Sequence, residues 1–285
     1  MTNTFETDIR SDRSETLLWA EAGKGIVLWT GLFERSISSF SSLLFRTLGL
    51  DPDSVVYPPP IARKRVIKDS GYSTNFADLA GIIADLPEKI QTVHGDDSLC
   101  LPGAGCHPVF DCLAGKTIDK FTIIGTVTPV FRRESQRNCW RLLSFRQAEA
   151  VILGQEADVH TKLDEFAKSA HSLLTNLGLR VRLSAASDSF TGRGAALKGI
   201  FQRSSASKTE FLWTDAARMD HALLSTNRHW TTFGDRFNIR LNDGRTASTA
   251  CIGVGLERVV LALNEVVGLS NICWEQYPSD RAGEG

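Results

Sequence analysis

Apolar residues recur at three- and four-residue intervals from Val159 through Leu163, Phe166, Ala170, Leu173 and Leu174 to Leu177, the pattern of a helix with one buried face. That helix is expected to end near Asn176-Leu177-Gly178, where glycine releases the chain from helical geometry. A different pattern governs residues 121–130, dense in β-branched side chains, and the apolar and aromatic run over residues 139–149. These read as two strands joined by a polar loop at residues 135–138. Residues 179–185 and 209–213 read as further strands, and residues 192–203 as a short helix. Near the C-terminus, Ala250-Cys251-Ile252-Gly253-Val254-Gly255-Leu256-Glu257-Arg258 passes from a β-like run through Gly-x-Gly into an apolar helix. The glycines permit a tight reversal that puts Arg258 in the first helical turn, at an end that favours anions. Earlier, residues 27–45 predict a strand and a helix before Gly49, and Pro58-Pro59-Pro60 cannot continue a helix. Residues 1–16 are polar and charged and are expected to fray, leaving residues 17–285 as one domain.

Composition narrows the class. The 285 residues are 42% hydrophobic and 23% charged, enough for a large core. A net charge of −1 gives no global electrostatic case for nucleic acid. Six cysteines are present, but the N-terminus lacks a basic, apolar leader and no run reaches membrane-spanning length. A reducing cytoplasm without membrane attachment is therefore expected, with cysteines free or bound to metal.

Candidate chemistry gathers on the first hairpin. Strand alternation puts Arg132 and Glu134 on one face, and Arg141, Phe145 and Glu149 on one face of the partner strand. Guanidinium groups suit phosphate and a ring suits a base, although a solvated charged hairpin is the competing reading.

Phe131-Arg132-Arg133-Glu134 with its following loop and Phe145, together with Gly253-x-Gly255-x-Glu257-Arg258, resembles motifs 2 and 3 of the class II aminoacyl-tRNA synthetases. In appearance the chain is similar to the atypical zinc-dependent seryl branch and to its shortened relatives, the amino acid:[carrier protein] ligases, with gaps over residues 58–263. The resemblance implies an α+β chain with the class II catalytic fold, a mostly antiparallel sheet flanked by helices. It implies that Arg132, Glu134 and Arg258 are catalytic and that Arg141, Phe145 and Glu257 join them in binding ATP with Mg²⁺. The segment Leu101-Pro102-Gly103-Ala104-Gly105-Cys106-His107-Pro108-Val109-Phe110 is similar to the family's strand that carries the first zinc ligand, which Cys106 would match, with Cys112 as competitor. Glu149 and Cys251 would complete a set for one Zn²⁺, whose open position takes the substrate's neutral amine. Asp188 would hold the substrate amine, the alternative being a helix-capping aspartate. Glu210 in Lys208-x-Glu210, and Ser225 and Asn227 in Ser225-x-Asn227-x-His229, resemble substrate-contacting segments, while Asp220-His221-Ala222 does not align with the expected Mg²⁺ ligand. Residues 61–72 resemble the region of motif 1, where the family has a proline and a long helix at a dimer interface, which implies a homodimer; a surface helix with basic exposed positions is the competing reading.

The activity so implied is ATP-dependent activation of glycine or alanine to an aminoacyl-adenylate, followed by transfer to the phosphopantetheine thiol of an acyl carrier-like protein. Arg193, Lys198 and Arg203 would steer that acidic partner, or form a solvated basic face. Neither a long charged coiled coil nor a basic tRNA-binding module is visible, so a truncated seryl-type synthetase is the runner-up. A catalytically silent paralogue acting as a regulatory subunit is the third reading.

Overall fold

A computed structural model describes residues 19–83, 98–119, 121–133, 137–188, 190–191, 195–205 and 207–276. The β-branched run forms β1 (Phe121–Phe131), which pairs antiparallel with β2 (Ser144–Gly154) in register from Phe121↔Gly154 to Phe131↔Ser144. Four more strands complete a sheet: β3 (Arg182–Ala185), β4 (Lys208–Thr214), β5 (Asp220–Trp230) and β6 (Ser248–Gly255). Their spatial order is β1-β2-β6-β5-β4-β3, with every neighbour antiparallel. The expected mostly antiparallel sheet flanked by helices is what the chain adopts.

Period-two alternation divides the sheet into two unlike faces. Ala148, Ala150 and Ile152 of β2 and Ala250, Ile252 and Val254 of β6 pack against α1 (Gly31–Thr47), α3 (Glu156–Asn176) and α5 (Leu256–Val266). Phe33, Phe40 and Leu44, spaced by one and two helical turns, carry α1 into that core, and Leu163 and Leu174 do the same for α3. Val151 and Leu153 point the other way, onto α2 (His107–Cys112) and the segment around Phe237. Phe145, Gln147 and Glu149 share the face of Val151, so the polar site and the main core lie on opposite sides of one sheet.

Three local expectations are corrected. Residues 61–72 hold the two-residue strand Ala62–Arg63 and the six-residue helix Lys64–Asp69 rather than a long helix; the 17-residue α1 lies upstream of the prolines. Val56, just before those prolines, joins Thr126 through a parallel bridge at the outer edge of β1. Cys106 is not on a strand: Leu99–Leu101 ends at Pro102, two glycines follow, and Cys106 precedes α2, whose early Pro108 suits a helix start. Arg141 lies before β2, in a turn closed by its bridge to Asn138.

Candidate functional site

Where β1 and β2 meet the start of α5, an open cleft is lined by Arg132, Cys139, Trp140, Arg141, Leu142, Phe145, Gly255, Glu257 and Arg258. Hairpin and Gly-x-Gly turn converge because β6 lies directly beside β2. The Arg132 guanidinium stands 5.4 Å from the Phe145 ring centre, and its Nε donates to the Gly103 carbonyl at 3.1 Å. Arg258 leaves the first turn of α5 and donates from Nε to the Trp140 carbonyl (2.8 Å) and from Nη1 to the Ala222 carbonyl (3.1 Å). Trp140 stacks on His221 at 4.1 Å, and His221 Nε2 lies 2.8 Å from Asp215 Oδ2. Asp220 pairs with Arg182 and Thr214, so no carboxylate of Asp220-His221-Ala222 faces the cleft. Glu134 and Arg193 lie outside the described residues.

Glu257 reaches the cleft wall, but its oxygens accept from the Arg146 backbone N–H (2.9 Å) and Nε (2.8 Å). Arg146 also donates to both Glu34 oxygens, at 2.6 and 3.0 Å, so one guanidinium ties β2, α5 and α1 together. The sequence did not single out Arg146; no local signal separates it from its charged neighbours. Burial pushes the Glu257 carboxyl up and Arg146 opposes the shift. Arg146→Ala is expected to lower stability by about 3–5 kcal/mol at neutral pH, because it strands a buried carboxylate. With the raised folded pKa no longer offset, the deficit grows as pH rises and shrinks as acid neutralises Glu257. Urea unfolding at pH 7.5 and pH 5 reads both effects, and an equal loss at the two pH values would contradict the assignment.

Further along the same face, the Sγ atoms of Cys106 and Cys251 and a Glu149 oxygen all lie within 4.8 Å of one another, and all three residues are buried. Cys251 is carried by β6 next to Glu149 on β2, and Cys106 is delivered by the turn before α2. The Gly105 N–H donates to Glu149 Oε1 at 2.9 Å and to Gln147 Oε1 at 3.0 Å, while buried Glu149 Oε2 has no partner. A Cβ on Gly105 would meet Glu149 Oε1 at 2.8 Å, so only glycine allows this approach. Hydrogen bonding to Cys251, then burial and the Glu149 charge, hold the Cys106 thiol well above its ordinary range; burial raises Glu149. Two thiols and an under-satisfied buried carboxylate form a donor set that a thiophilic divalent cation fits. Cys112 is exposed and lies outside the cluster, whereas Cys106 is one of its three members. His107 packs edge-on to Tyr72 and Phe233, and burial lowers its pKa to about 3. None of the six cysteines forms a disulfide.

Beside this cluster, Ser225 and Asn227 sit on β5 opposite Gly253 and Cys251, and Glu210 on β4 is opposite Ser225. Asn227 Nδ2 lies 3.4 Å from Ser225 Oγ and 3.6 Å from Cys251 Sγ. Asp188 pairs with Lys208, which also reaches Glu210 Oε1 at 3.1 Å. Gln202 of α4 (Ala195–Ser204) accepts from the Asp188 N–H at 2.6 Å and donates to Asp188 Oδ2 at 2.8 Å. Burial works against the Asp188 charge, yet Lys208 and Gln202 hold its carboxyl below the ordinary range. On α4, Lys198 donates to Asn75 Oδ1 and Arg203 to Ser187 Oγ, while Leu197 and Ile200 are 72% and 55% exposed. No described helix is long and apolar enough to cross a membrane.

Residues 95–267 match the family model of the tRNA synthetase class II core domain (G, H, P, S and T). The chain is 26% identical to amino acid–[acyl-carrier-protein] ligase 1 of Bradyrhizobium diazoefficiens, covering 95% of itself and 88% of that protein. It is 24% identical to the type-2 serine–tRNA ligase of Methanococcus maripaludis, covering 99% of itself and 61% of that enzyme. Among solved structures, M. kandleri SerRS in complex with A. aeolicus tRNASec superposes with a TM-score of 0.71 at 17% identity, over 87% of this chain. The chain spans 55% of that synthetase.

Proposed function

Because this chain belongs to the tRNA synthetase class II core domain family, we propose that it is an adenylate-forming ligase that charges the phosphopantetheine thiol of a carrier protein with a small amino acid, glycine or alanine. The observation that carries the reading is the placement of an arginine- and phenylalanine-lined cleft beside a buried three-donor cluster on one sheet face. Support for a carrier as acceptor comes from the similarity to amino acid–[acyl-carrier-protein] ligase 1, 26% identical over 95% of this chain.

In this reading the cleft takes ATP with Mg²⁺: Arg132, with Glu134, on the reacting phosphate, Phe145 against the base, Arg141 at the rim and Arg258 towards the outer phosphates. Glu257 serves by fixing α5 through Arg146. The amino acid's carboxylate attacks the α-phosphorus, forming a C–O–P bond as pyrophosphate leaves. Fixed charge and positioning, rather than enzyme covalency, lower that barrier. The carrier thiol, giving up its proton, then attacks the acyl carbon; a thioester forms and AMP departs. Cys106, Glu149 and Cys251 would hold one Zn²⁺, which when bound offers an open position to a neutral amine. Glu210, Ser225 and Asn227 border the substrate, and Asp188, bound to Lys208 and Gln202, supports that border.

Leu197 and Ile200, with Lys198 and Arg203, form the surface for the carrier, and Arg193, outside the described residues, is assigned to the same role. Residues 17–285 act as a single catalytic domain in the cytoplasm. The sheet bearing exposed Ile82 and Leu99, with exposed Tyr57 nearby in sequence, is the surface proposed for homodimerisation. Similarity to type-2 serine–tRNA ligases favours tRNA charging as the second reading.

The deciding experiment is the intact mass of a holo-carrier protein after incubation with enzyme, ATP, Mg²⁺ and mixed amino acids. A hydroxylamine-labile gain of one glycyl or alanyl group is expected. Pyrophosphate exchange without carrier charging would favour tRNA, and silence in both assays would favour a regulatory paralogue.

A further inference from the structure

We infer that His229 is a positioning residue of the three-donor cluster, donating from Nε2–H to the Cys251 sulfur and so holding it as a metal-bound thiolate. The inference rests on the proposed metal centre and concerns a residue outside its ligand set. His229 Nε2 stands 3.7 Å from Cys251 Sγ, and Nδ1 stands 3.2 Å from Thr249 Oγ1. The backbone is bent to allow both contacts. β5 pairs regularly with β6 through Asn227↔Cys251 and Arg228↔Ala250, and then resumes at Trp230↔Thr249. His229 is therefore the extra residue of a bulge, a device that re-aims a side chain out of the ladder. The next residue, Trp230, has φ +49°, a left-handed conformation that bulky side chains seldom adopt. Local strain of this kind persists where the surrounding structure over-determines it, and functional sites are where it collects.

Packing then fixes the ring. Phe233 lies edge-on at 4.7 Å and Phe110, from the helix that follows Cys106, edge-on at 6.2 Å. Hydrogen-bond capacity decides the tautomer. A neutral imidazole carries one N–H, and a metal-bound thiolate has no proton to give. Nε2 must then donate to sulfur, which leaves Nδ1 to accept from the Thr249 hydroxyl. Asn227 Nδ2, 3.6 Å from the same sulfur, supplies a second donor. Two N–H groups facing one thiolate lower its charge and fix its direction, as outer partners of metal ligands commonly do.

The test titrates wild type and the variants His229→Phe, His229→Gln and His229→Asn with Co²⁺ against a competing chelator, recording the thiolate-to-cobalt charge-transfer band, with circular dichroism as the check on folding. His229→Phe is expected to weaken Co²⁺ binding about 10–100-fold and to move the band to longer wavelength, because sulfur loses a donor. Gln puts an amide N–H near the place of Nε2 and should recover most of the affinity; Asn, whose amide mimics Nδ1, should not. A wild-type affinity and band in His229→Phe would overturn the inference while leaving the metal centre standing. Equal weakness of the Phe and Gln variants would also overturn it, reducing the ring to packing. Wild type that takes up no stoichiometric Co²⁺ overturns the centre, and the inference with it.

Discussion

Arg132→Ala lowers amino-acid-dependent ATP–pyrophosphate exchange by about 10²–10³-fold, the expected cost of deleting one preorganised donor to a transition-state charge. The guanidinium emerges where β1 ends, is steadied by the Gly103 carbonyl and the Phe145 ring, and opens onto the cleft. Its loss should fall on kcat, since charge on the α-phosphoryl group develops as pyrophosphate leaves. Arg132→Lys recovers little, because an ammonium cannot keep both the Gly103 contact and a flat guanidinium face over the ring. A change confined to KM for ATP would show that Arg132 only binds nucleotide, and the catalytic role assigned to it would be withdrawn.

Cys251→Ser is expected to abolish amino-acid activation and metal retention together. Its sulfur is one of three donors within 4.8 Å, so the substitution removes a ligand itself and costs more than the ~10–100-fold in affinity that loss of an outer partner brings. Metal content by mass spectrometry should fall from one Zn²⁺ per chain to near zero, while ATP binding at the neighbouring cleft survives. Cys112→Ser is the control; that cysteine is exposed, outside the cluster, and should leave both readouts untouched. Full activity in metal-free Cys251→Ser would refute the zinc reading.

Glu257 shows why local pattern does not reveal a side chain's partners. Its neighbours in sequence, Gly255 and Arg258, line the cleft and so does Glu257, which makes a nucleotide role the natural reading. Its carboxylate is held by Arg146, 111 residues away, and that guanidinium is shared with Glu34 on α1. Only a folded chain can reveal so distant a partner. Lys208 is similar: its ammonium pairs with Glu210 two residues on, as a Lys-x-Glu pattern suggests, and also with Asp188 from the loop after β3, which no local pattern shows.

By itself the sequence determined the elements and their faces. β-Branched runs and alternation define β1, β2 and β6, the three- and four-residue spacing defines α3, and the Gly-x-Gly turn defines the entry to α5, because these depend on steric and hydrophobic rules that act within a few residues. Period two also places Phe145 and Glu149 together without any knowledge of the fold. Tertiary structure alone decided which faces meet. β6 inserts between β2 and β5, although 93 residues separate Gly154 from Ser248, and this brings Cys251 beside Glu149. Cys106 arrives from a turn, not a strand, and a bulge in β5 turns His229 onto the same sulfur. Such meetings follow from strand order and from the burial of one shared core, quantities that no window of neighbouring residues contains.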